Sequence, residues 1–165
     1  MLRAAIFMVI TMDMKKEDCD RLGYCFKILR NLELLVEQAH WNIKGENFYQ
    51  LHLLFMRIYE LLDGFEDRFA ENMRSLFILV PNSPKFLADC KMEFPENPSQ
   101  TGKKYLELIH AGNRMLAECA IECMDMCTKC GKHGIANMLQ DIVEATGTIY
   151  YLTESQLGLT EIPKK

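Results

Sequence analysis

Leu51, Phe55, Ile58, Leu62, Phe65 and Phe69 recur in alternating steps of four and three. That spacing puts all six on one seam of a helix about five turns long, and a strand would scatter them over both faces. A seam of this length has to be covered by helices of similar length. Residues 16–42 supply one, with Leu22, Cys25, Leu29, Leu32, Val36 and Ala39 as its apolar stripe. Gly45 is placed to stop that first helix and Asn47 to cap the second, which must end before Pro81. Residues 77–98 hold four of the five prolines and read as a long connection, with a short helix over 85–90. Ser99 or Thr101 can cap a third long helix reaching to Cys130. Gly131 and Gly134 then break the chain, and a fourth helix over 135–157 closes at Gly158. The pattern predicts an all-α four-helix bundle with one long crossover between its second and third helices.

The 165 residues make one domain, with residues 16–158 as the bundle, 1–15 as an extension and 159–165 as a tail. The net charge of −4 argues against bulk electrostatic binding of nucleic acid. The ends do not reverse this. Arg3, Lys15 and Lys16 are offset by Asp13, Glu17, Asp18 and Asp20, and Lys164 and Lys165 are the only bases at the other end. The apolar run from Ala4 to Met12 follows Arg3 and superficially resembles a signal peptide. It is too short to span a bilayer, and Asp13, Met14, Lys15 and Lys16 follow it in place of a small-residue cleavage pattern. A short extension, or a start at Met12 or Met14, is the expected reading over secretion. No membrane span and a cytoplasmic location are expected.

The functional signal lies in four residues. His40 falls at the end of the first apolar stripe, and His52 follows twelve positions later, beside the seam residue Leu51. Asp67 and Glu71 form an i, i+4 pair on the same face of the second helix as His52. His52 and Asp67 lie about 22 Å apart along that helix at roughly 1.5 Å per residue, so one chain cannot close them around one ion. Two copies packed antiparallel across a two-fold axis can, each histidine end meeting the partner's carboxylate end. Mixed imidazole and carboxylate ligands suit iron or manganese better than a thiophilic metal. Singly, His40 would read as a core histidine, and Asp67 with Glu71 as a solvated face.

His40-Trp41-Asn42-x-x-Gly45, the second histidine at position 52 and Asp67-x-x-x-Glu71, with Tyr59 between, resemble the Dps family of mini-ferritins. The similarity has motif-level support from about Leu22 to Met73 and continues more faintly to Ile149-Tyr150-Tyr151-Leu152. The resemblance implies a ferritin-like bundle assembled as a homo-oligomer, a hollow dodecamer built from two-fold dimers. It also implies oxidation of Fe(II), with hydrogen peroxide as preferred oxidant, storage of the ferric iron, and protection against oxidative stress. His40, His52, Asp67 and Glu71 would be the metal-binding and catalytic residues. Trp41 would pack against the site, act as an oxidisable ring, or serve the core.

Two departures bear on that reading. Met56 stands four residues after His52, where the family usually has an acid, and a thioether is a poor ligand for a hard cation. Asp63, on the same face as His52 and Asp67, is a relocated carboxylate ligand or an acid paired with a partner's Arg57. After the third helix the family's acidic pore residues give way to Gly131-Lys132-His133-Gly134 and Asn137, leaving Asp141 alone. An impaired shell serving as a passive metal store is therefore the second reading.

A thiol-based metal or redox protein is the third. Among the seven cysteines, Cys119, Cys123, Cys127 and Cys130 fall within an arc of about 80° on the third helix. They span about 16 Å, too far for one four-thiolate zinc site. A buried stripe of small residues is expected there. Pairs at i, i+4 could take Cu(I) or zinc with help from a neighbouring helix or His133, and the Cys127–Cys130 end is expected to be exposed and redox-active.

Overall fold

The computed structural model describes residues 14–158, leaving the run from Ala4 to Met12 and the tail 159–165 outside the described residues. Four long helices, α1 (Lys16–Asn42), α2 (Phe48–Ser75), α4 (Gly102–Lys129) and α5 (His133–Leu157), are joined with one short helix, α3 (Pro84–Ala88), inside the crossover. No strand occurs among the described residues. No helix there is long and apolar enough to cross a membrane.

The two stripes read from the sequence form the centre of the bundle. Leu22, Cys25, Leu29, Leu32, Val36 and Ala39 of α1 are buried, as are Leu51, Phe55, Ile58, Leu62, Phe65 and Phe69 of α2. Phe26 meets Phe69 edge-on at 5.7 Å between ring centroids, a preferred aromatic arrangement. The helix ends follow local chemistry. Asp18 accepts from the Lys15 backbone N–H at 2.8 Å, Ser83 Oγ from that of Phe86 at 3.2 Å, and Thr101 Oγ1 from that of Lys104 at 3.2 Å. Gly131 ends α4 at φ +68, with the Lys132 N–H donating to Cys127 O at 2.8 Å and the Gly131 N–H to Thr128 O at 3.0 Å. These two bonds form a Schellman closure.

Gly134 does not act as a break. It lies in the first turn of α5, which starts at His133, two residues before the expected position. First-turn N–H groups have no partner within the helix, so a flexible residue disrupts little there.

The crossover also fixes the corner that carries the two histidines. Lys44 and Thr101 form an isolated parallel bridge. Gly102 then lets α4 approach so closely that a Cβ there would lie 2.3 Å from Leu51 Cδ1. The start of α2 is held from both sides.

Candidate metal site

His40, at the end of α1, and His52, at the start of α2, face each other across the corner that turns at Gly45, φ +113. Their rings stack with centroids 3.9 Å apart and planes 17° apart. His40 Nδ1 lies 3.0 Å from the His52 carbonyl oxygen, and His52 Nδ1 lies 2.9 Å from the His40 carbonyl oxygen. A carbonyl only accepts, so each Nδ1 carries the hydrogen and each Nε2 is left with a lone pair. Metal-binding imidazoles are usually oriented by such a bond from the opposite nitrogen. Phe48 stacks on His52 as well, at 5.2 Å. Sequence spacing finds the two histidines; their reciprocal bonds appear only once the helices are folded back.

Asp67 and Glu71 are exposed near the other end of α2. About 22 Å of helix separates Asp67 from His52, so this chain alone brings the histidines together without the two acids. Met56 is half-buried one turn after His52. Trp41 is 67% exposed, which overturns the core-packing reading: its indole is not part of this chain's interior. Phe48, Tyr49 and Leu53 beside the histidines are exposed too.

Asp63 sits in different company from that expected. A carboxylate oxygen of Asp63 lies within 4.8 Å of those of Glu33 and Glu66, and Arg30 forms ion pairs with both Glu33 and Glu66. The Glu33 carboxyl is pushed above its usual range by burial, against the lowering effect of Arg30, with Glu66 and Asp63 adding to the rise. The Asp63 charge is the main cause raising the Tyr59 hydroxyl. This acidic set spans α1 and α2 and already holds a cation in Arg30. Sequence reasoning missed it, although Arg30 and Glu33 at i, i+3 beside a buried stripe were its visible half. Asp141, the carboxylate left near the α4–α5 turn, pairs with Arg68 at 2.7 Å.

No disulfide links the described cysteines. Cys119, Cys123 and Cys127 are buried and Cys130 is half-buried, in keeping with a core stripe. Cys127 does not share the expected exposure: burial, with Cys130 beside it, pushes its thiol up to about 12, where it is inert. His133 is exposed and joins no metal-ligating set among the described residues. The neighbouring-helix partner of Cys119 and Cys123 is instead Cys25 of α1.

With that geometry in place, comparison with known proteins is informative. The ferritin-like domain family matches residues 28–161, and the chain belongs to that family. Within it, the fold is that of Dps proteins. An archaeal Dps homologue from Halobacterium salinarum superposes with a TM-score of 0.81 at 21% identity, covering 90% of this chain and 83% of that one. DpsC from Streptomyces coelicolor gives 0.80 at 19% identity, with 90% and 86% covered. A Listeria innocua Dps in which two histidines twelve positions apart are replaced by glycine gives 0.78 at 18% identity, with 86% and 94% covered. No curated protein matches the sequence.

Proposed function

We propose that this chain is a Dps-type mini-ferritin subunit that binds Fe(II), oxidises it with hydrogen peroxide and stores the ferric product inside a homo-oligomeric shell, a dodecamer of two-fold dimers. The observation that carries the reading is the histidine pair, whose Nδ1 hydrogens are committed to backbone carbonyls 3.0 and 2.9 Å away, leaving both Nε2 lone pairs for a metal. The Listeria variant altered at two histidines of the same spacing supports a matching role here. His40 and His52 of one subunit would bind iron together with Asp67 and Glu71 of its partner, because the helix rise forbids closure within one chain. The exposed Trp41 at the end of α1, with Tyr49 and Leu53 at the start of α2, gives this corner an apolar rim suited to a subunit contact. Iron is the substrate and cargo, and consuming Fe(II) and peroxide together would protect against oxidative stress, with the cytoplasm as the proposed place of action.

Half-buried Met56 favours a second reading, in which the shell stores metal with little oxidation because the second iron position lacks its carboxylate. Asp63 is less available to replace it, being gathered with Glu33 and Glu66. Anaerobic Fe(II) loading followed by peroxide separates the two readings through ferric absorbance and iron per particle. Rapid oxidation that His52→Ala abolishes supports the first. Retention of iron without oxidation supports the second, and full activity in His52→Ala overturns the site.

A further inference from the structure

Cys25, Cys119 and Cys123 present three sulfurs that all lie within 4.8 Å of one another. Cys119 and Cys123 are one turn apart on α4, and Cys25 meets them from the buried stripe of α1. Metal–sulfur bonds of about 2.3 Å would set the corners of a trigonal site roughly 4.0 Å apart, so small side-chain rotations close this triangle. Cys25 and Cys123 are wholly buried and Cys119 is 7% exposed. We propose that these three cysteines form a Cu(I) site, distinct from the histidine pair and entered at Cys119.

The ligand set decides the metal. It is all sulfur: among the described residues, no imidazole or carboxylate belongs to the cluster. Soft thiolates select Cu(I) or zinc over magnesium or manganese. Structural zinc takes four ligands, whereas Cu(I) is satisfied by three. A route exists as well. Cys119 lines a surface cavity of about 210 Å³ with Tyr24, Met115, Glu118 and Glu122. Met115 precedes Cys119 by one turn, so a soft thioether stands on the approach. Arg21 and Glu122 pair across the mouth.

Cys123 donates its S–H to the Arg21 carbonyl oxygen at 3.7 Å. Metal binding requires the ligating sulfurs to be deprotonated. On binding, three Cu–S bonds form, each thiol that becomes a ligand releases its proton to solvent, and copper stays monovalent, so no electron is transferred.

The test is anaerobic titration of the reduced full-length assembly with Cu(I) against a chromophoric chelator. One Cu(I) per subunit is expected, with three sulfur neighbours by X-ray absorption. Cys25→Ala and Cys123→Ala should each weaken retention by more than about 100-fold, beyond what loss of an outer-shell partner does. Cys90→Ala should bind as the parent does, and iron oxidation should be unchanged in all three, which separates this site from the iron site. Should a buried variant fail to fold, alkylation of the parent protein decides: Cu(I) must protect Cys119 and leave Cys90 reacting at its original rate. Unprotected Cys119, stoichiometric binding that survives loss of Cys25, or preferential retention of four-coordinate zinc would each overturn the proposal.

Discussion

Replacing Arg30 by Met tests how this fold tolerates acids between α1 and α2. Arg30 pairs with Glu33 and Glu66, their side chains being 15%, 8% and 27% exposed, and Asp63 adds a third acid nearby. Breaking a buried ion pair by removing one partner costs about 3–5 kcal/mol because the remaining charge is stranded. Partial exposure of Glu66 lowers the expected loss to about 2–3 kcal/mol. For a chain of this size that corresponds to a fall in Tm of about 4–12 °C. The pH dependence has a definite sign. The folded-state pKa of Glu33 is raised, so its ionisation costs stability as pH rises from the unfolded value through the folded one, and acid relieves the cost. Without Arg30 the rise is larger, so the deficit should be greatest at neutral pH and shrink towards pH 5. Glu33→Gln in the Arg30→Met background should recover most of it. Thermal melts at fixed subunit concentration, since assembly contributes to Tm, measure all of this. An Arg30→Met protein as stable as the parent at neutral pH, or a deficit that grows on acidification, would refute the reasoning.

Met56→Asp restores a carboxylate one turn from His52 and should raise the rate or stoichiometry of Fe(II) oxidation in stopped-flow absorbance; no change would show that the lost acid does not limit the site. Gly131→Ala forces an L side chain into φ +68 and should cost about 1–2 kcal/mol, read by urea denaturation, because no nearby atom compensates the strain or adds a clash. DNA binding should be weak or absent in a gel shift at about 0.15 M salt, given a subunit charge of −4; micromolar retardation lost on deleting residues 1–14 would show that the N-terminal segment had been misjudged.

The lengths of the helices were legible because their causes are local. A four-three seam from Leu51 to Phe69, a proline-rich crossover and Thr101 before α4 each act through neighbours in sequence. The histidine pair was visible as spacing, but not its reciprocal bonds, which require two backbone carbonyls brought together by the α1–α2 corner. Arg30 with Glu33 revealed nothing of Glu66, whose position opposite depends on how α1 and α2 pack. Cys25 read as one more small apolar residue of a stripe, and only the rotation of α1 against α4 makes it the third member of a thiol triangle. Trp41 had three readings open, and its exposure removes only the core one: an aromatic residue next to a buried stripe need not face inward.

The way His40 and His52 hold one another has a consequence for how the proposed site would take up a metal ion. Each ring spends its Nδ1 hydrogen on the other residue's carbonyl, and that hydrogen stays in place when an imidazole takes up a second proton at Nε2. A metal ion bound as proposed would use the lone pair at Nε2, while the bond that orients the ring lies on the opposite nitrogen. Each ring would then be aimed by the fold before any ion arrives, so binding would not have to order it.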